Sequence, residues 1–320
     1  MLRSFLIYLS KASWARQILT KWKLAWLVAS RFIAGETTQD AINTIRSLNQ
    51  KGICATLDHL GESVTDSDEA RLATAEIINV LNEIHESGLR SSVSIKPSQI
   101  GLALGVDLYE ENLRSILQTA KELNNFVRID MEDSLYTDVT LSTFLKLYQD
   151  GYSDHVGIVI QSYLYRSAKD IFQLMLLGAP VRLCKGAYQE PVEIAFKKKK
   201  DVDINFDVLS EMLISGALLH AKPALSGCGK FPPIPAIASH DEKRVEFVKA
   251  YAAKVGLPKT SIEFQMLNGI RRDLQEKLVS EGYPVRVYVP YGTEWYPYFM
   301  RRLAERPANL WFFISNFFRN

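Results

Sequence analysis

The chain has 320 residues, 47% of them hydrophobic and 23% charged, which is enough apolar material for one large domain or two smaller ones. A formal net charge of +2 gives no field that argues for nucleic acid, and the basic residues are dispersed apart from Lys197, Lys198, Lys199 and Lys200, a run that suits a solvated helix end or loop. Three cysteines, Cys54, Cys184 and Cys228, lack paired spacing, so reduced thiols in a cytosolic setting are expected and a cysteine metal motif is excluded.

No secretory signal is read at the start of the chain. Residues 1–34 instead alternate Leu2, Phe5, Leu6, Tyr8 and Leu9 with Arg3, Lys11, Arg16, Lys21 and Lys23, the pattern of an amphipathic helix that caps the body of the protein. The apolar run at 24–33 is too short to span a bilayer and Arg31 interrupts it. A helix with spaced apolar residues follows at 37–50, stopped by Gly52.

From there short apolar runs alternate with helical stretches. The runs fall at 53–57, 91–95, 126–129, 156–160, 181–184, 236–238, 262–266 and 285–289, with helical spacing at 69–87, 107–123, 141–148 and 166–177. An insert after the fifth run holds a polylysine helix, a second helical segment at 206–220 and a Gly/Pro-rich loop at 226–235. Pro290 and Gly292 are expected to stop the last run, and Thr293 to cap a final helix with Pro297 in its first turn. On that helix Tyr298, Arg301, Arg302 and Glu305 are spaced to share one face. Beyond it, Trp311, Phe312, Phe313, Phe317 and Phe318 crowd 310–318, an aromatic end that packs back or touches lipid.

Short continuous apolar strands separated by helices imply a parallel sheet covered on its outer side. Eight such units in this length match a closed (β/α)₈ barrel of the TIM type, with extra N-terminal helices (1–52) and a barrel over 53–320. A doubly wound fold would carry a Gly-rich phosphate loop after its first strand, and no such motif is found. Asp58, Lys96, Asp130, Gln161, Arg182, Lys185, His240, Gln265 and Tyr288 all fall at or near strand C-terminal ends, where barrel active sites lie.

Lys96, Arg182, Lys185, Arg301 and Arg302 outnumber Asp58, Asp130 and Glu305, so the pocket favours anions: a phosphate-bearing cofactor together with a substrate carboxylate. Lys185-Gly186-Ala187 has the small residues that let a backbone approach a ligand closely. No Ser-His-Asp order or H-E-x-x-H spacing occurs and the five histidines are scattered, so no metal centre is expected. A strand-end lysine, Lys96 or Lys185, could form a Schiff base, which makes an aldolase the main competing enzyme, and a barrel that binds without turnover the non-enzymatic one.

Several blocks together carry a family resemblance: Lys96-Pro97-Ser98, Val127-Arg128-Ile129-Asp130-Met131-Glu132, Arg182-Leu183-Cys184-Lys185-Gly186-Ala187-Tyr188, Ala238-Ser239-His240-Asp241, Glu263-Phe264-Gln265-Met266-Leu267-Asn268-Gly269, and Arg301-Arg302 followed by Glu305. In this order they resemble proline dehydrogenase, in its single-function bacterial form. The resemblance implies an FAD-containing barrel that oxidises L-proline to Δ1-pyrroline-5-carboxylate and passes electrons to a quinone, the first step of proline catabolism.

By that pattern Arg301 and Arg302 clamp the proline carboxylate, Lys96 adds charge, and Tyr288, Tyr298 and Leu183 wall the ring. Asp130 neutralises Lys96 or the arginine pair, and Arg182 stands beside the flavin's reactive nitrogen. Met131, Gln161, Lys185, Gly186, Ala187, Ser239 and His240 match positions that line the FAD, and Glu305, which positions the arginines, is grouped with them. The last helix then lies over the active site. Hydroxyproline, with the same carboxylate and amine, is the alternative substrate, unless Tyr298 excludes its hydroxyl. A cytoplasmic protein is expected, with peripheral contact to the inner face of the cell membrane through the terminal segments.

Overall fold

The computed structural model describes residues 29–61, 64–220 and 227–305, together with Leu9, Ala12, Trp26 and Leu27, and the side chains of 304 and 305 lie outside that description. Most of the expected N-terminal amphipathic helix and the aromatic stretch at 310–318 therefore fall outside the described residues.

Eight parallel strands close on themselves in chain order: β1 (Cys54–His59), β2 (Ser91–Ile95), β3 (Val127–Ile129), β4 (Val156–Gln161), β5 (Val181–Cys184), β6 (Pro235–Ala238), β7 (Glu263–Leu267) and β8 (Val285–Tyr291). The helices are α1 (Thr38–Gln50), α2 (Ser67–Glu86), α3 (Val106–Glu122), α4 (Ser134–Leu147), α5 (Ser167–Leu176), α6 (Lys199–His220), α7 (Glu242–Val255), α8 (Arg272–Ser280) and α9 (Trp295–Glu305). The expected (β/α)₈ barrel is what the chain forms.

Local chemistry starts these helices where the sequence suggests. Thr37 caps α1 in a reciprocal box with Asp40, and Asp66 and Asp241 accept backbone N–H bonds at the starts of α2 and α7. Four boundaries differ. Helix α4 begins at Ser134, seven residues before the apolar spacing starts, because Asp133 caps it by accepting from Leu135 N–H and its first turns are Ser/Thr-rich with Leu135 exposed. The polylysine helix and the segment at 206–220 are one helix, α6, which takes in only Lys199 and Lys200 of the lysine run.

Strand β8 does not stop at Val289. The Tyr288 carbonyl bonds Asn268 on the β7 side, and two residues later Pro290 points to that side beyond the end of β7, so its missing N–H costs no ladder bond. The Pro290 carbonyl there accepts from Ala34, and the strand runs on to Tyr291 against β1. Helix α9 begins at Trp295, which moves its cap from Thr293 to Glu294 and leaves Pro297 in the first turn, where no intrahelical donor is lost.

The large apolar core lies between strands and helices, with Leu57, Val93, Ile129, Ile158, Leu183, Phe264 and Val287 among its buried members. Their strand neighbours, pointing the other way, fill the barrel with polar groups: Thr56 and Asp58, Ser92 and Ser94, Arg128, Arg182, Glu263 and Gln265, and Arg286. This is the reverse of an aliphatic barrel interior, and each buried polar atom there needs a partner. A second cluster at the C-terminal mouth packs Ala29, Phe32, Ile33 and Leu60 against Trp295, Tyr296, Phe299 and Met300 of α9.

Candidate active site

At the C-terminal mouth the interior polar groups form one connected chain. Lys96, in the loop after β2, places Nζ 2.8 and 2.7 Å from the two oxygens of Asp58, whose carboxylate is wholly buried at the end of β1. The same ammonium lies 3.3 Å from Tyr288 OH and 5.9 Å from its ring centroid. Tyr288 OH donates to Asp130 Oδ2 at 2.8 Å, and Arg182 Nη1 donates to Asp130 Oδ1, also at 2.8 Å. Asp130 thus bridges a phenol and a guanidinium.

Arg182 is held on three edges. Its Nε donates to Gln265 Oε1 and its Nη2 to Ser94 Oγ at 3.1 Å, and Ser94 in turn shares a hydrogen bond with Thr56 Oγ1. With Asp130 that accounts for three of the five N–H groups a guanidinium carries. The guanidinium carbon also lies 5.4 Å from the Tyr288 ring centroid.

Burial raises the Asp58 pKa above the ordinary carboxylate range, with Lys96 pulling it down and Asp130 pushing it up. Burial, with Asp130 and Asp58 nearby, likewise drives the Tyr288 phenol well above its usual value, so the phenol stays protonated and acts as a donor.

This pairing corrects part of the charge count. Asp58 neutralises Lys96, whereas Asp130 serves Arg182 and Tyr288. Three of the five cations, Lys185 with Asp203 and Asp241 included, thus bring their own carboxylates, and the excess of positive charge is smaller than the residue list suggests. Neither lysine is poised as a nucleophile. Lys96 is clamped by both Asp58 oxygens, and Lys185 lies between Asp203 and Asp241, the latter at 2.9 Å, so each amine end is taken up by ion pairs rather than presented to a carbonyl.

Other expected site residues settle nearby in different ways. Gln161 donates Nε2 to the carbonyls of Met131 and Glu132, at 3.1 and 3.2 Å, which ties the ends of β3 and β4 together. His240 Nε2 accepts from Leu267 N–H at 2.9 Å, which puts its ring proton on Nδ1. Ser239 Oγ accepts from Asp241 N–H at 3.1 Å. His240, Asp241, Lys243 and Arg271 line an open depression of about 630 Å³ beside this end of the barrel.

Gly186 has φ +97°, and a Cβ there would overlap the Tyr163 ring, so its smallness serves the packing of that ring. Ala187 follows it in the same loop. Leu183 is not brought to the mouth: Arg182 points inward, and Leu183, on the opposite face of β5, is fully buried in the shell under the helices. Tyr298 is buried on α9 with the Arg302 guanidinium 5.2 Å from its ring centroid, and Arg301 is half-buried beside them. Glu305 ends the helix.

The sequence reading missed the residues that hold this set in place. Ser94 and Thr56 steady Arg182, and Glu132 accepts from both the backbone N–H and the hydroxyl of Ser98, at 2.7 and 2.6 Å, joining the loops after β2 and β3. A strand in which every second residue is Ser, Thr, Arg or Glu is their signal, since polar side chains buried in a barrel come in hydrogen-bonded sets.

A closed parallel barrel with an ion-paired, tyrosine-bridged set at its C-terminal mouth has the form of a (β/α)₈-barrel enzyme, with its polar groups gathered where such enzymes carry their sites. Comparison with known proteins narrows the class. The family model for proline dehydrogenase matches residues 41–314. Proline dehydrogenase 2 of Bacillus subtilis (strain 168) is 41% identical over 311 residues, covering 97% of this chain and 96% of that one. Proline dehydrogenase of Deinococcus radiodurans is 41% identical over 293 residues, covering 91% of this chain and 90% of that one.

The crystal structure of proline utilization A (PutA) from Bdellovibrio bacteriovorus superposes with a TM-score of 0.78 at 25% identity, covering 87% of this chain and 32% of that larger one. This chain belongs to the proline dehydrogenase family, whose reaction is the oxidation of proline in proline catabolism.

Proposed function

We propose that this protein oxidises L-proline to Δ1-pyrroline-5-carboxylate using FAD and hands the electrons to a quinone. The observation that carries the reading is the linked set Asp58, Lys96, Tyr288, Asp130 and Arg182 at the barrel mouth, in a chain 41% identical to a proline dehydrogenase along nearly its whole length.

The residues present fit a flavin. Gln161 Oε1 is buried with no partner among the described residues, and an N–H donor such as a flavin imide would satisfy it. Arg182 keeps two N–H groups beyond its three protein bonds, and Met131, Lys185, Gly186, Ala187, Ser239, His240 and Glu305 complete the proposed lining. When bound, FAD supplies the acceptor for the hydride that leaves the proline ring carbon next to nitrogen.

This chain's own groups bind and orient. Arg301 and Arg302 present planar donor forks suited to the substrate carboxylate, with Lys96 adding charge beside them. Tyr288 and Tyr298 supply aromatic surface for the ring. The cationic surroundings favour the neutral amine, whose lone pair becomes the second bond of C=N as hydride departs, and water keeps the released proton. Asp130 holds Arg182 and Tyr288 at fixed separation, so that neither has to reorganise during the reaction.

Hydroxyproline presents the same carboxylate and amine, and Tyr298 is proposed to exclude its hydroxyl. We further read 1–52 as a helical segment on a barrel of 53–320, which the packing of Phe32 and Ile33 against α9 supports. Cytoplasmic placement with peripheral membrane contact through the basic N-terminal segment is part of the same reading. Among the described residues no helix is long and apolar enough to cross a membrane.

The test is product formation. Enzyme, an artificial quinone and L-proline should yield an imine that condenses with an aromatic aminoaldehyde, and hydroxyproline should yield far less. No imine from proline would defeat the assignment, and equal turnover of hydroxyproline would defeat the role given to Tyr298.

A further inference from the structure

Beneath Arg182 the barrel holds a second ion pair, closed off from solvent. Glu263 on β7 and Arg286 on β8 are 0% and 1% exposed, and Arg286 Nε donates to Glu263 Oε1 at 2.9 Å. Arg286 is itself pinned, donating Nη1 to the Ala55 carbonyl at 2.6 Å and to Ser92 Oγ at 3.2 Å, and Nη2 to the Gly229 carbonyl at 2.9 Å. Gln265, two residues after Glu263 and so on the same face of the strand, donates Nε2 to that Glu263 oxygen at 2.6 Å.

That last bond decides which way the amide faces. A Gln side chain has a donor end and an acceptor end of nearly equal shape, and only the acceptor end can receive the Arg182 Nε–H. Were the amide turned over, two donors would meet in a buried site, and a buried unmade hydrogen bond is expensive. A carboxylate accepts and cannot donate, so Glu263 binds the NH₂ end and leaves Oε1 aimed at Arg182 Nε, the contact seen here.

We propose that Glu263 is a positioning residue for the reaction: locked by Arg286, it sets the polarity of the Gln265 amide and thereby holds the Arg182 guanidinium in the orientation used at the barrel mouth. Glu263 touches no substrate, since Gln265 stands between it and Arg182. The inference rests on the proposed function only in taking Arg182 as the group beside the flavin.

Three variants test it: Glu263→Met with Arg286→Met, Gln265→Met, and the conservative Glu263→Gln. The first removes both buried charges together and takes away the acceptor for the Gln265 NH₂ group. It should slow flavin reduction by proline about tenfold with KM for proline within about twofold, and shift the flavin reduction equilibrium about tenfold, roughly 30 mV for a two-electron couple. Glu263→Gln keeps an oxygen at the point where Arg286 Nε and Gln265 Nε2 both donate, so it should stay within about threefold of wild type in rate and potential.

Gln265→Met, which keeps the Glu263 to Arg286 pair, should show the same loss of rate and potential, and it tests the relay even if the double variant does not fold. Wild-type rate and potential in the double variant or in Gln265→Met would overturn the proposal, as would a folded Glu263→Gln as impaired as either. A crystal structure of the double variant with Arg182 undisplaced and its Nε bond to Gln265 intact would also overturn it, whatever the substrate. Wild-type enzyme whose flavin proline does not reduce would defeat the functional reading instead, leaving the relay to be judged on the flavin potential and that structure.

Discussion

Removing both members of the Lys96 and Asp58 pair should cost no more than removing either one alone. Both side chains are buried, the carboxylate completely, and both of its oxygens face the ammonium at 2.8 and 2.7 Å. Asp58→Asn leaves an ammonium in a desolvated site, and Lys96→Met leaves a carboxylate there, each a loss of about 3 kcal/mol. The double variant removes both charges and should lose about 3 kcal/mol in all, where simple addition would give about 6 kcal/mol, a coupling of about 3 kcal/mol.

Thermal unfolding reads this directly, at about 2 °C per kcal/mol for a domain of this size. The Lys96→Met variant carries a second signature. Burial and Asp130 already raise the Asp58 pKa, and losing Lys96 removes the charge that opposes them. A carboxyl whose folded pKa lies above its unfolded one binds more protons when folded, so stability of Lys96→Met should rise as pH falls from that raised value toward about 4. Single-variant losses that simply add, or a Lys96→Met stability that falls over that range, would refute the pairing as described.

Leu183→Ala should cost about 3 kcal/mol in unfolding free energy with KM for proline unchanged, because the side chain fills the shell under the helices; a large KM effect with little stability loss would restore it to the substrate wall. Gly186→Ala forces a Cβ into the Tyr163 ring at φ +97° and should destabilise by more than about 2 kcal/mol, with partial recovery when Tyr163 is also cut to Ala. Asp207, near Asp203 and Asp241 and paired with Arg244 at 3.1 Å, has its pKa raised to about 6, chiefly by burial. Folded protein therefore holds an extra proton between about 4 and about 6 and loses stability as pH rises through that window. Asp207→Asn lacks this term, so its melting temperature should gain on wild type between pH 4 and pH 7; a constant difference would count against it.

Much of the barrel was legible because its strands are short and apolar on the side that meets the helices. β2 and β5 fall on the runs read from sequence, and the other strands lie within one or two residues of theirs. What periodicity could not show was the opposite face. A run such as Val285 to Tyr291 looks apolar by content, yet Arg286 and Tyr288 point inward and join the polar interior. Partner choice was also hidden. Lys96 and Asp130 stand at neighbouring strand ends and invite pairing on paper, but Asp58, from the strand on the other side of β2, reaches the ammonium first. Leu183 failed for a related reason: adjacency to Arg182 in sequence means opposition in a strand.

The strand-end set and the α9 arginines are proposed to bind proline beside a flavin. An anaerobic visible spectrum of the FAD-loaded protein, taken before and after L-proline and repeated with Arg301→Ala, tests this most directly. Flavin bands that bleach in wild type, and in the variant bleach only at proline concentrations at least about tenfold higher, are the expected result. Bands that never bleach, or an Arg301→Ala protein that bleaches at wild-type proline concentrations, would contradict the account.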